Sequence, residues 1–163
     1  MEYKIVSSID PSSVISEEYR KLRTNIDFSS FDEKLKVLNI TSSSPSEGKT
    51  ITLLNLATVI AQNNKSVIIV DLDLRKPKIH RAVSARNING VTEFLSDEVP
   101  LDECIKKSVF GFYTLFAGQK TLFPSELLNS KKIRKLIEEL KQIYDYVLMD
   151  FQPANLFADA NLV

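Results

Sequence analysis

The chain has 163 residues, of which 44% are hydrophobic, a length and composition suited to one domain with its own core. Its 21 basic and 21 acidic side chains balance, which argues against a general nucleic-acid surface. A single cysteine, Cys104, excludes an internal disulfide, and no apolar run approaches the roughly 20 residues that cross a bilayer. We therefore expect one cytoplasmic domain over 1–163, without a signal peptide, that associates with a membrane only through a partner.

The predicted elements alternate between helices and strands. Residues 1–12 are expected to form an extended arm, and Asp10-Pro11 signals the start of a helix over 13–27. Apolar periodicity then predicts strands near 37–42, 66–71, 112–116 and 146–150, and helices near 49–62, 91–95, 101–107 and 131–144. This alternation predicts a parallel sheet flanked by helices, which is a three-layer α/β/α architecture.

A polar loop that ends in Gly48-Lys49-Thr50 joins the first predicted strand to the helix near 49–62. The first N–H groups of a helix have no intrahelical partner and the helix dipole adds positive charge, so such a junction attracts phosphate oxygens. Gly48 allows close approach of the backbone, Lys49 can reach the outer phosphates, and the Thr50 hydroxyl can bind magnesium. The residues predicted to hold a nucleoside triphosphate are Ser44, Pro45, Ser46, Glu47, Gly48, Lys49, Thr50 and Ile51. The simpler interpretation is a polar turn that caps a helix.

The match of this loop to the G-x-x-x-x-G-K-[ST] template is incomplete. Ser43 stands where the template has glycine, and Ser46 adds a side chain where many such loops have glycine. Gly-Lys-Thr alone is a weak signal. Its position after a strand and before a helix is what favours nucleotide binding.

A second apolar run, 67–70, ends in Asp71-Leu72-Asp73. In an extended backbone Asp71 and Asp73 point the same way, and open α/β sheets bind ligands at the carboxyl ends of their strands. Two carboxylates at that place suit magnesium, or a hydroxyl that is to be deprotonated. The alternative is a solvated strand end, where Arg75 and Lys76 are the partners of the carboxylates.

A third apolar run, 146–149, ends at Asp150, the arrangement expected of a carboxylate that holds a magnesium-bound water. Together with the loop and the paired aspartates, Asp150 completes a predicted site for a triphosphate and its metal. His80 is the only histidine, which excludes a multi-histidine metal site. Five basic residues after the paired aspartates either neutralise phosphates or form a solvated loop: Arg75, Lys76, Lys78, His80 and Arg81.

These motifs resemble the bacterial tyrosine kinases of capsule and exopolysaccharide synthesis, within the wider P-loop group that includes the cell-division and partition ATPases. The most specific likeness is the segment Asp71-Leu72-Asp73-Leu74-Arg75-Lys76-Pro77 with His80, which is similar to the second Walker motif of these kinases. The resemblance implies an ATP-dependent protein-tyrosine (auto)kinase that regulates polysaccharide assembly and uses ATP and Mg²⁺.

The resemblance also implies a role for each site residue. Lys49 would hold the phosphates, and Asp150 would act through a metal-bound water. Asp71 would orient or deprotonate the incoming tyrosine hydroxyl, and a largely dissociative transition state asks only modest proton removal from it. Arg75 would bind the nucleotide, because it closes the family motif. The implied magnesium ligands are Thr50, Asp73 and Asp150.

The segment 17–23 resembles the E-x-x-R-x-x-R helix with which these kinases pack one subunit against the site of the next. An apolar face at helical spacing supports a helix independently: Ile15, Tyr19, Leu22 and Ile26. The resemblance implies a homo-oligomer, formed as head-to-tail rings through Glu17, Arg20 and Arg23. The alternative is a solvated face on which Glu17 and Arg20 form a pair worth about 0.2–0.5 kcal/mol. The implied partners are a membrane adaptor or chain-length regulator of polysaccharide export and tyrosine-containing proteins, with no nucleic acid.

The chain departs from the family in two places. After Asp150 the family usually has threonine and two prolines, whereas this chain has Phe151-Gln152-Pro153-Ala154. A phenyl ring beside the phosphates is expected to weaken magnesium placement without abolishing nucleotide binding. The five tyrosines form no terminal cluster, so the C-terminal part of the family domain and its tyrosine tail are expected to be missing. Two other functions therefore stay open: a partition- or division-type ATPase, and a nucleotide-dependent interaction module that transfers no phosphate.

Overall fold

The computed structural model describes residues 3–29, 35–42, 44 and 46–152. The helices in this part of the chain are α1 (Val6–Ile9), α2 (Val14–Phe28), α3 (Lys49–Gln62), α4 (Ile79–Ala82), α5 (Val91–Leu95), α6 (Leu101–Cys104), α7 (Pro124–Leu128) and α8 (Lys131–Ile143). The strands are β1 (Val37–Ile40), β2 (Val67–Asp71), β3 (Ile105–Lys107), β4 (Tyr113–Leu115) and β5 (Tyr146–Asp150).

These strands form one sheet in the order β1-β5-β2-β4-β3. The first four in that order run parallel. Every residue of β2 and β5 is buried, which explains why both strands read as unbroken apolar runs in the sequence. The register pairs Asp71 with Asp150, so the carboxyl ends of the two central strands lie side by side.

The side chains of the sheet alternate between two cores, as the two-residue period of a strand requires. In β2, Ile68 and Val70 pack in the core that includes α8, whereas Val67 and Ile69 pack in the core that includes α3. Helix α8 contributes four buried aliphatic side chains: Ile133, Leu136, Ile137 and Leu140. Each buried side chain of this kind contributes about 1.5–3 kcal/mol. Helices therefore cover both faces of the sheet, and the predicted three-layer α/β/α fold is confirmed.

The sheet is mixed rather than fully parallel, and the predicted helix over 101–107 is wrong in its second half. Helix α6 ends at Cys104, and β3 then pairs antiparallel with β4. Ile105 packs against the core, whereas Lys106 and Lys107 are exposed, an arrangement that suits an edge strand. A segment of seven residues carries too little periodicity to separate a helix from a helical turn followed by a strand.

The arm predicted as extended over 1–12 instead contains the short helix α1, and it packs on α3. Ile5 is buried in the core that includes α3. The Ser7 N–H donates to Asn55 Oδ1 at 2.9 Å, and Gln62 Nε2 donates to the Ser7 carbonyl at 2.9 Å. Contacts with a helix more than 40 residues away in the chain thus fix this segment, and a local pattern cannot reveal them.

Within the described residues, no helix combines the length and the apolarity that crossing a bilayer needs. The longest are α2 with 15 residues and α3 with 14.

Candidate nucleotide-binding site

The backbone of the loop before α3 turns through two left-handed residues. Gly48, the N-cap of α3, has φ 94°, and Ser46 has φ 66°. The left-handed conformation costs a non-glycine residue roughly 1 kcal/mol or more, which explains why many such loops have glycine where Ser46 stands. Ser46 nevertheless adopts this conformation, so its side chain does not prevent the turn that leads into α3.

The N-terminus of α3 presents backbone N–H groups that the helix itself does not use. The first α-helical bond after the cap runs from the Thr52 N–H to the Gly48 carbonyl, at 2.9 Å. The N–H groups of residues 49–51 precede that bond, and the helix dipole adds positive charge at the same place. This is the structural arrangement that binds phosphate groups in proteins.

The side chains of the loop hold it in a compact shape. The buried Lys49 donates from Nζ to Ser42 Oγ at 3.1 Å, and Ser42 Oγ donates in turn to the Ser44 carbonyl at 2.8 Å. The Ser44 N–H donates to Glu47 Oε2 at 3.2 Å. Lys49 is thus folded back along the loop, where its ammonium group is within reach of an anion bound at the helix N-terminus. Pro45, also predicted to bind nucleotide, lies outside the described residues.

Thr50 connects the loop to the acidic end of the sheet. Its hydroxyl donates to Asp150 Oδ2 at 2.9 Å, and both residues are buried. Burial raises the pKa of Asp150 to about 6; the hydrogen bond from Thr50 opposes this rise, and the charge of Asp73 adds to it. A hydroxyl and a carboxylate oxygen, both hard ligands, therefore meet at the mouth of the phosphate loop.

Asp71 is fully buried and held by backbone donors. Its Oδ2 accepts from the N–H groups of Lys78 and Ile79, each at 3.1 Å, and its Oδ1 accepts from the Asp73 N–H at 3.3 Å. Burial and then the charge of Asp150 raise the pKa of Asp71 well above its usual range, and the bonds from Ile79 and Lys78 oppose the rise. The segment between β2 and α4 therefore orients this carboxylate, whereas burial and the charge of Asp150 leave it more basic than an exposed one.

Asp73 lies just beyond the end of β2, because the strand stops at Asp71. The alternation of an extended strand therefore does not relate the two carboxylates; a turn does, in which Asp73 Oδ1 accepts from the Lys76 N–H at 2.9 Å. Asp73 is nevertheless 9% exposed, and its charge acts on both Asp71 and Asp150. The structure thus brings the three predicted aspartates together at one edge of the sheet.

A cavity of about 140 Å³ lies against the phosphate loop. Five loop residues line it: Ser46, Gly48, Lys49, Thr50 and Ile51. Its other lining residues are Tyr3, from the N-terminal arm, and Lys78. Sequence reasoning did not assign either of these two. Lys78 was visible in the basic cluster after the aspartates, whereas no signal in the sequence pointed to Tyr3.

A basic cleft lies beside this cavity, with a volume of about 560 Å³. It includes all five residues of the basic cluster: Arg75, Lys76, Lys78, His80 and Arg81. Lys120 adds a further cation from the segment after β4. The Arg75 guanidinium is exposed and donates to Ser125 Oγ at 3.0 Å, so Arg75 lines the cleft rather than the phosphate-loop cavity. Nucleotide binding by Arg75 stays a prediction.

Phe151 does not lie where the sequence suggested. It is 1% exposed, packs in the core that includes α8, and is not among the residues that line the phosphate-loop cavity. The expectation of a phenyl ring beside the phosphates is therefore wrong, because the backbone after β5 directs the ring into the core. Gln152 is buried too, and Pro153 and Ala154 lie outside the described residues.

The predicted interface residues lie on α2 and make contacts within the chain. Arg20 Nε is 3.3 Å from Glu17 Oε2, and an Arg20 guanidinium nitrogen donates to the Pro11 carbonyl at 2.9 Å. Arg23 Nε is 3.8 Å from Asp27 Oδ2. The pair between Glu17 and Arg20 that the simpler interpretation required is present, and the interface assignment stays a prediction.

The phosphate loop at the start of α3 and the aspartates at the carboxyl end of the sheet define a P-loop nucleotide-binding protein. The chain belongs to the AAA domain family, whose model matches residues 35–163. Within that class it belongs to the bacterial tyrosine kinases. It is 38% identical over 164 residues to the tyrosine-protein kinase YwqD of Bacillus subtilis, a match that covers 100% of this chain and 69% of YwqD.

Longer relatives and solved structures agree. The tyrosine-protein kinase wzc of Salmonella typhimurium is 35% identical over 155 residues, which are 94% of this chain and 22% of that protein. The kinase domain of Escherichia coli tyrosine kinase ETK superimposes with a TM-score of 0.94 at 31% identity, covering 99% of this chain and 64% of that domain. The septum site-determining protein MinD of Pyrococcus horikoshii, crystallised with Mg-ADP, superimposes with a TM-score of 0.63 at 23% identity and so shares the fold.

Proposed function

We propose that this chain is an ATP-dependent protein-tyrosine kinase that regulates the synthesis of capsular polysaccharide or exopolysaccharide. The observation that carries the proposal is the 2.9 Å hydrogen bond from Thr50 to Asp150, formed beside the paired Asp71. This bond joins the phosphate loop to the aspartates at the carboxyl ends of the central strands. A γ-phosphoryl group, its metal and a basic carboxylate would therefore lie next to one another.

The residues present fit a magnesium nucleotide. The phosphates would lie against the N–H groups of residues 49–51 and the Lys49 ammonium. Thr50, Asp73 and Asp150 would hold Mg²⁺, which when bound neutralises charge on the phosphate oxygens. Among the described residues, no cluster of three or more histidine, cysteine or acidic side chains could hold a metal by itself. The two carboxylates and one hydroxyl of Asp73, Asp150 and Thr50 suit Mg²⁺, which usually takes one or two carboxylates together with phosphate oxygens and water.

Asp71 is the proposed base toward the acceptor tyrosine. Three backbone N–H groups fix its orientation, and its raised pKa makes it better able to accept a proton than an exposed carboxylate. Little covalent chemistry is asked of the protein in phosphoryl transfer, so orientation and charge placement account for most of the expected rate.

The finer features of the family are proposed together with the activity. The kinase would work in the cytoplasm, bound to a membrane adaptor of polysaccharide export, and act on tyrosines of partner proteins or of its own copies. The helix face with Glu17, Arg20 and Arg23 would contact the next subunit of a ring. Glu17 is exposed and Arg20 and Arg23 are half-buried, so this face is partly accessible to a neighbouring subunit.

An ATPase of the division type is the second candidate, since the same site would serve water as acceptor and the fold is shared with MinD. A third candidate is a module that binds nucleotide without transferring phosphate. One reason for it was a phenyl ring beside the phosphates, and that reason fails because Phe151 lies in the core.

The proposal is tested with magnesium-dependent ATP binding and transfer to a synthetic tyrosine peptide. The wild type is expected to bind ATP and form phosphotyrosine. Lys49→Ala removes the ammonium group at the phosphates and should abolish binding, whereas the matched control Lys65→Ala, on the exposed turn after α3, should not. Unchanged ATP affinity in Lys49→Ala would contradict the phosphate-loop assignment, and ATP hydrolysis without phosphotyrosine would favour the ATPase.

A further inference from the structure

The N-terminal arm brings a tyrosine to the phosphate loop. Ile5 is 2% exposed in the core that includes α3, and the bonds of Ser7 to Asn55 and Gln62 fix the following helical turn to the same helix. Tyr3, two residues before Ile5, is partly buried against that core. The position of Tyr3 therefore follows from anchors on α3, the helix whose N-terminus forms the phosphate site.

Tyr3 lines the phosphate-loop cavity together with Lys49 and Thr50. Its hydroxyl also lies within electrostatic reach of the carboxylates of the site: burial, Asp150 and Asp71 raise the pKa of Tyr3, and Arg81 lowers it. The hydroxyl therefore stays protonated at neutral pH, as an acceptor should be before transfer. A phenol thus lines the same cavity as the phosphate loop.

The other four tyrosines lie elsewhere. Tyr144 and Tyr146 are buried, and the Tyr146 hydroxyl donates to the Asp27 carboxylate. Tyr113 packs against Tyr144 with ring centroids 5.3 Å apart, and Tyr19 lies on α2. All five are among the described residues, and of these Tyr3 is the one that lines the phosphate-loop cavity.

We propose that Tyr3 occupies the acceptor position of this site and is phosphorylated by the chain that carries it. This inference rests on the proposed kinase function and names one substrate of the same site, a tyrosine of the protein's own N-terminal arm.

The reaction balances with ATP as the phosphoryl donor. The Tyr3 Oη forms a bond to the γ-phosphorus while the bond from that phosphorus to the β–γ bridging oxygen breaks. ADP leaves with the electron pair of the broken bond, and the phenolic proton passes to the Asp71 carboxylate. The product carries nearly two negative charges beside Asp71 and Asp150, so repulsion is expected to expel the arm from the cavity.

Because the arm is tethered, Tyr3 competes with external tyrosines at a high effective concentration. Its phosphorylation is therefore expected to be first order in the protein, with a rate constant that does not change on dilution. Gln62→Ala removes one anchor of the arm without touching the site. It should slow Tyr3 phosphorylation by about 5-fold, the loss expected for one hydrogen bond, and leave phosphorylation of an external peptide undiminished.

The experiment incubates the full chain, tagged only at its C-terminus, with Mg·ATP and a synthetic tyrosine peptide, and maps phosphate by peptide mass spectrometry. The expected result is phosphate on Tyr3, formed with a rate constant that is independent of protein concentration, and absent in Tyr3→Phe and in Lys49→Ala. Phosphate on the external peptide but not on Tyr3 would overturn this inference and leave the kinase function standing. A first-order rate constant for Tyr3 that rises in proportion to protein concentration would overturn transfer within one chain. ATP turnover with no phosphotyrosine anywhere would overturn the kinase function itself, and this inference with it.

Discussion

Replacing Asp150 with asparagine is expected to stabilise the nucleotide-free protein while removing a proposed magnesium ligand. The side chain is 2% exposed at the end of β5 and lies next to Asp71 and in the field of Asp73. Ionisation of such a carboxyl is costly in the folded state, because water is excluded and the neighbouring carboxylates repel it. Asparagine keeps an oxygen that can accept the Thr50 hydroxyl bond but carries no charge.

The magnitude follows from the pKa of Asp150, which rises from 3.8 to about 6. At about 1.4 kcal/mol for each pH unit, this rise corresponds to about 3 kcal/mol of folding free energy that wild type loses when Asp150 is ionised. Since the folded pKa is the higher one, the cost is complete above pH 6 and disappears below about pH 4. The asparagine variant should therefore be about 3 kcal/mol more stable at pH 8 and no more stable than wild type at pH 4.

The assay is urea unfolding of both proteins in EDTA from pH 4 to pH 8, with the exposed Glu139→Gln as the matched change from a carboxylate to an amide. The control should stay within about 0.5 kcal/mol of wild type throughout. Excess Mg·ATP should then stabilise wild type and not the Asp150→Asn variant. A variant that is less stable than wild type at pH 8 in EDTA, or a difference that does not change with pH, would show that the charge of Asp150 does not destabilise the fold.

Three further changes test other parts of the account. Gly48→Ala places a side chain at φ 94° and should cost about 1 kcal/mol or more of stability and weaken ATP binding; calorimetric titration that returns wild-type affinity would contradict the loop geometry. Leu136→Ala, at a fully buried position of α8, should lower the free energy of unfolding by about 2–5 kcal/mol. A loss below about 1 kcal/mol in urea unfolding would show that α8 does not pack against the sheet as described. A double substitution of Arg20 and Arg23 by alanine should reduce assembly size in light scattering, and an unchanged size would remove the ring interface from the proposal.

The strands and the loop that the sequence predicted well are those whose residue pattern follows from their immediate surroundings. β2 and β5 are covered on both faces, so every residue is apolar until the aspartate at the end, and the run itself indicates both the strand and the site. The phosphate loop is similarly local, because Gly48, Lys49 and Thr50 act within one turn of helix.

Two features that the sequence did not predict depend on contacts outside their own segments. β3 is a strand because β4 pairs with it, and nothing in Ile105-Lys106-Lys107 alone requires this. Tyr3 reaches the phosphate loop only because the arm packs on α3. Phe151 is a different case: it follows Val147 and Met149 at the two-residue spacing of a strand and packs in the same core, so strand alternation, and not adjacency to Asp150, predicts its position.

The most direct test of the central claim is the stoichiometry between ADP formed and phosphotyrosine formed when the protein turns over Mg·ATP with a tyrosine peptide. This stoichiometry is obtained by measuring ADP, inorganic phosphate and phosphotyrosine separately in one reaction. A kinase is expected to form about one phosphotyrosine, on the peptide and Tyr3 together, for each ADP, with little free phosphate. ADP matched by free phosphate, with phosphotyrosine at background, would contradict the kinase function.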